Sequence, residues 1–150
     1  MTRIGIAVIG LGPAAQPHAQ SLIDLADRVD IRWAVTRSQA RADAAAARYP
    51  FPITTDLDRA IADPTVQAVL LLTPPGAHLE LAERCLSAGK HLLVEKPLEV
   101  SVERGRRLVA MAAPPAFVSA WCCSIASGRV RYACARCWRT VPWAIWRPAG

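Results

Sequence analysis

Apolar and polar positions along this chain follow two periods in alternation. Arg3–Ile9 (RIGIAVI) is a short β-branched run with no room for a helix, and Gly10-Leu11-Gly12 follows at once. From Ala14 to Ala26 the spacing turns helical, with Ala15, Leu22 and Ala26 on one side. Asp30–Val35 predicts a second strand, and Ser38–Tyr49 an alanine-rich helix with Ser38 as its N-cap. Thr55 or Asp56 caps a short helix that reaches Ala62 and is stopped by Asp63-Pro64. Val66–Leu72 is almost continuously apolar, as in a strand buried on both faces of a parallel sheet. Thr73-Pro74-Pro75-Gly76 turns the chain into a helix from about Ala77 to Ala88, with Gly89 at the C′ position. His91–Val94 predicts the next strand and Ser101–Met111 the next helix, where Ser101 and Arg104 stand in place of a capping box. Strand and helix alternate five times, which predicts an α/β fold, a doubly wound parallel sheet over residues 1–111.

Composition divides the chain at Met111–Pro115. The 150 residues are 53% hydrophobic and 20% charged, which excludes disorder for most of the length. All twelve acids lie at or before Glu103, set against thirteen Lys and Arg up to residue 111. Residues 112–150 hold five arginines, no lysine and no acid, together with four of the five Trp and four of the five Cys. Residues 112–150 therefore carry +5 of the net charge of +6. No basic segment precedes the first apolar run, so the expectation is a cytoplasmic protein, and an odd number of cysteines argues against a disulfide framework. Cys85, among Leu81, Leu86 and Ala88, is expected to be a buried small hydrophobe.

The first chemical signal is Gly10-x-Gly12-x-x-Ala15, placed between a strand and a helix as a dinucleotide fingerprint requires. Gly10 would make the tight turn, Gly12 would let the backbone approach a pyrophosphate, and Ala15 would permit close helix–strand packing. Free N–H groups at the helix start would hold the phosphates. An ordinary tight turn with no ligand is the competing reading. The end of the second strand offers Thr36-Arg37-Ser38 and no acid. Arginine suits a 2′-phosphate where an acid would bind a free 2′-hydroxyl, so NADP is favoured over NAD. Arg37 stacked on adenine or facing solvent is the alternative.

Two more strings lie at the C-terminal edge of the sheet: Thr73-Pro74-Pro75-x-x-His78 after the fourth strand and Glu95-Lys96-Pro97 after the fifth. With Val8–Gly12 and His18, their order over residues 3–111 closely resembles the glucose–fructose oxidoreductase / inositol dehydrogenase (Gfo/Idh/MocA) family. The resemblance implies a Rossmann domain that binds NAD(P), and an oxidoreductase acting on sugars, polyols or related hydroxy compounds. It places Lys96 near the nicotinamide and substrate, where a positioned cation can orient a hydroxyl undergoing hydride loss. It further implies that Glu95 lines the nicotinamide pocket and that Pro97 fixes the turn that aims Lys96. His78 is open between cofactor contact and packing of the first helical turn, and His18 reads as structural. A non-catalytic dinucleotide-binding module is the alternative function. No metal site is expected, and an oligomer is left open.

In that family a large α+β substrate domain follows, and residues 112–150 do not resemble it. Cys134-x-x-Cys137 with Cys122-Cys123 is poor zinc geometry, with no histidine after His91. Leu108–Gly128 is long enough to span a bilayer but contains Pro114-Pro115, and the tail has no recognised nucleic-acid module. Neither membrane nor nucleic acid is expected as a partner. Sixteen Arg against two Lys point to a GC-rich gene, whose out-of-frame translation yields Arg, Cys, Trp, Pro and Ala. The tail is therefore read as out of frame from near Met111–Pro115, with no second domain. Ala116–Ile125 is expected to lie along the bare sheet edge as a sixth strand.

Overall fold

A computed structural model describes residues 3–112 and 119–122. Its strands are β1 (Ile4–Ile9), β2 (Val29–Val35), β3 (Ile53–Thr54), β4 (Ala68–Leu71), β5 (His91–Glu95) and β6 (Ser119–Cys122). Five helices join them: α1 (Ala15–Asp24), α2 (Gln39–Ala46), α3 (Leu57–Ala62), α4 (His78–Ser87) and α5 (Val102–Ala112). A 3-10 turn, Pro75–Ala77, precedes α4. All strands are parallel, in the order β3-β2-β1-β4-β5-β6. This is the doubly wound α/β arrangement expected, with its topological switch between β1 and β4.

Both faces of the sheet are covered, which explains the unbroken apolar runs. In β1, Ile6 and Val8 join Leu22 of α1, Leu70 and Leu72 on one side. Ala7 and Ile9 point the other way, into a cluster with Ile61 of α3, Leu79, Ala82 and Cys85 of α4, and Leu108 of α5. Cys85 is wholly buried, and that burial pushes its thiol up to about 12, so it packs as a small hydrophobe.

The local signals act much as predicted. Asp56, not Thr55, caps α3 by accepting the Arg59 N–H at 2.9 Å. Ser38 occupies the N-cap of α2 without a side-chain hydrogen bond. Gly89, at φ +71°, ends α4. β4 is shorter than the apolar run that foretold it. Val66 is buried, but its N–H goes to Asp63 O at 3.1 Å, and so it stays outside the ladder. The sixth strand forms within the expected segment, pairing Leu92 with Ser119 through Glu95 with Cys122. Cys123, Cys134 and Cys137 lie outside the described residues, and so does the expectation that the tail forms no second domain.

Candidate functional site

Parallel strands bring their C-terminal ends to one edge, and the strings at Gly10–Ala15, Thr36–Ser38, Thr73–His78 and Glu95–Pro97 lie there. Gly10 leaves β1 with φ +98°, a backbone shape that side chains rarely adopt. A Cβ built on it would stand 3.0 Å from the Leu72 carbonyl carbon and oxygen and 3.1 Å from Thr73 N. The turn is thus wedged against the end of β4. Gly12 differs, because a Cβ there would meet nothing within 4 Å. Its carbonyl accepts the Ala15 N–H at 2.9 Å, and Ala15 is buried where α1 meets the sheet. Ala14 at the N-cap of α1 makes no side-chain hydrogen bond, and Pro17 in the first turn carries no N–H. Leu11 is half-buried against the α1-side core.

On the β2 side, Thr36 is buried and donates from its hydroxyl to Ser38 O at 3.3 Å, while Arg37 is exposed. On the opposite side lie the loops after β4 and β5. Thr73 Oγ1 is buried and has no hydrogen-bond partner among the described residues. It sits beside the Gly10 turn, and a cofactor hydroxyl or amide would satisfy it. Together with the open space at Gly12 and the absence of a side-chain cap at the start of α1, this makes the edge a fit for a dinucleotide. Pro74 and Lys96 are exposed, Pro75 is half-buried, and the exposed Pro97 follows Lys96 through a cis peptide bond.

Glu95 and His78 take roles that the motifs did not spell out. The buried Glu95 carboxylate lies 2.7 Å from Nε2 of the buried His18 on α1, so β5 and α1 are joined at the crevice. His78 is fully buried, with Nδ1 2.9 Å from Leu98 O and Nε2 2.8 Å from Thr73 O. Both of its ring nitrogens are turned to backbone carbonyls.

One feature gave no sequence signal. The Glu99 carboxylate accepts the Leu79 N–H at 3.0 Å and the Val100 N–H at 2.8 Å. Arg104 donates to both of its oxygens, each at 2.9 Å. Arg104 Nη2 also reaches Glu80 at 2.7 Å and Gly76 O at 3.2 Å. Arg104, with these backbone amides, holds the Glu99 carboxyl at about 2, down from 4.5. No group of three or more His, Cys, Asp or Glu could hold a metal among the described residues, and no helix there is long and apolar enough to cross a membrane.

Comparison with known proteins agrees with this geometry. Residues 4–115 match the family model for the Gfo/Idh/MocA oxidoreductase family, NAD-binding Rossmann fold. The chain is 39% identical over 94 residues to 4-carboxy-2-hydroxymuconate-6-semialdehyde dehydrogenase of Sphingobium sp., covering 62% of this chain and 30% of that protein. Over 106 residues it is 28% identical to scyllo-inositol 2-dehydrogenase (NADP(+)) IolW of Bacillus subtilis, covering 70% and 29% of the two. Among solved structures, GenD2 from gentamicin A biosynthesis, in complex with NAD, superposes with a TM-score of 0.73 at 39% identity, over 81% of this chain and 34% of that one. The chain thus spans about a third of the length of these relatives. On its motifs, its strand order and these matches, it belongs to the Gfo/Idh/MocA family of NAD(P)-binding oxidoreductases.

Proposed function

We propose that this chain is the cofactor half of an NADP-preferring dehydrogenase that moves a hydride to or from a sugar, polyol or related hydroxy compound. The observation that carries it is the pairing of the Gly10–Gly12 turn with the unsatisfied Thr73 hydroxyl across the β1–β4 switch point. The dinucleotide would lie across that point. Gly10, Leu11, Gly12 and Ala15 would shape the pyrophosphate loop, and Thr36 and Arg37 would meet the adenosine ribose. Thr73, Pro74 and Pro75 would line the nicotinamide side, with Glu95, Lys96 and Pro97 opposite. Bound there, the cofactor supplies the hydride acceptor or donor. The exposed Lys96 ammonium orients the substrate hydroxyl and favours negative charge on its oxygen. His18 keeps Glu95 turned toward α1, which leaves Lys96 as the cation at the end of β5.

Support for NADP comes from Arg37 and the absence of an acid in Thr36–Ser38, and the relative in Bacillus subtilis is named for NADP(+). Fluorescence titration with NADPH and NADH tests the preference. Arg37→Asp should reverse it, because it removes the partner of a 2′-phosphate and adds an acceptor for a free 2′-hydroxyl. Equal affinities before and after the change overturn the NADP reading.

We also read residues 112–150 as out of frame, a reading supported by the family match ending at residue 115, within the acid-free stretch that follows Glu103. Resequencing across codons 111–115 tests it, and an uninterrupted frame overturns it.

A further inference from the structure

The loops after β4 and β5 carry the two strings on the nicotinamide side, yet they belong to different βα units. The ladder between β4 and β5 sets the strand ends side by side, and the loops beyond Leu71 and Glu95 need a join of their own. Here the join is built from three side chains. His78, at the start of α4, sits between Thr73 O and Leu98 O, at 2.8 and 2.9 Å. Glu99, three residues after Lys96, accepts from Leu79 N on α4 and from its own neighbour Val100 N. Its side chain is 1% exposed, so the carboxylate is out of solvent. Arg104, in the first turn of α5, neutralises that buried charge through two nitrogens, and the same guanidinium reaches Gly76 O and Glu80 across the gap. A paired, hydrogen-bonded carboxylate of this kind fixes geometry through several directed bonds at once.

We propose that Glu99 and Arg104 are positioning residues, a clamp that locks the Lys96 turn to the Thr73–Ala77 loop and so sets the width of the nicotinamide half of the crevice. The clamp touches neither the β1 turn nor the β2 end. It therefore acts on one half of the cofactor and not on the other. This rests on the cofactor reading above, since it needs a dinucleotide lying across β2, β1 and β4.

The test uses the whole 150-residue chain and two probes, NADPH and 2′,5′-ADP, the second lacking the nicotinamide half. Arg104→Ala and Glu99→Gln should each weaken NADPH roughly tenfold, the scale of one well-placed charged hydrogen bond, and leave 2′,5′-ADP unchanged. Arg104→Lys, which keeps the charge without the two-pronged contact, should recover part of the loss. Equal losses for both probes, or no loss for either, overturn the clamp. A measurement on the wild-type chain covers variants that fail to fold. The Leu79 and Val100 amides share one carboxylate and should exchange hydrogen at one common opening rate, so independent exchange overturns the clamp without any ligand. A wild-type chain that binds neither probe overturns the cofactor reading instead, and with it the role assigned to the clamp.

Discussion

Gly10 and Gly12 stand two residues apart in one motif, yet replacing each with alanine should damage different things. At Gly10 the φ of +98° is strained for any L side chain, which costs about 1–3 kcal/mol. The added methyl would also press on Leu72 and Thr73 backbone at 3.0–3.1 Å, where no flexible side chain can yield. Moving the end of β4 aside adds about 1–2 kcal/mol, at the low end for overpacking. The total of about 2–5 kcal/mol is a large share of a small domain's stability. At about 4 °C per kcal/mol, the melting temperature should fall by roughly 8–20 °C. Gly12→Ala meets nothing within 4 Å and needs no positive φ. Its folded state should therefore stay within about 0.5 kcal/mol of wild type, or gain slightly from a stiffer unfolded chain. Its methyl would instead occupy the space a pyrophosphate needs, and NADPH affinity should drop by about 10–100-fold. Thermal melts and fluorescence titrations on both variants separate the two effects. Equal destabilisation, or wild-type affinity in Gly12→Ala, would refute the division of labour.

Other outcomes can be stated briefly. In the chain joined to a substrate domain, Lys96→Ala should slow turnover of a polyol by about 10²–10⁴-fold with little change in cofactor affinity, and steady-state rates beside binding titrations will show it. Glu99 is held at about 2, below its ordinary 4.5, chiefly by Arg104, so its contribution to folding is complete above about pH 4.5 and fades as pH falls toward 2. Urea melts of wild type and Glu99→Gln should accordingly differ at pH 7 and converge near pH 2 to 3; a gap that persists in acid contradicts the assignment. Lys90 is buried and donates to Asp63 O and Val66 O, both at 2.8 Å, so Lys90→Met should cost about 1–3 kcal/mol in the same assay with NADPH binding intact.

What could be read from the sequence was whatever depends on near neighbours. The β1 turn, the Asp56 cap and the Gly89 stop each need only a few consecutive residues, and each occurs where predicted. The strands were legible because residues of both parities in β1 and β4 are buried, which leaves a continuous apolar run. β3 was not marked by such a run, since two residues at a sheet edge carry too little pattern. The bracing of the site was hidden for a different reason. Glu99 gains its meaning from Leu79, twenty positions away, and Glu95 from His18, seventy-seven away. Arg104 looked like a capping partner for Ser101, and its backbone N–H does face Ser101 Oγ at 3.3 Å. Its guanidinium, however, belongs to the link between α4 and α5, which no local spacing reveals.

The sheet ends in short strands on both sides, two residues in β3 and four in β6. A short rim offers few unpaired amides for another sheet to extend, so neither border invites stacking into fibres. On the β6 side that protection comes from the acid-free segment. The four residues Ser119–Cys122 convert β5 from a border into an interior strand and pair its last residue, Glu95, with Cys122. A chain cut after residue 112 would bare the edge of β5 that β6 covers, and the part most poised for chemistry would become the part most prone to self-association. Even a segment with an alien composition can thus act as a guard, since backbone pairing asks little of side-chain identity.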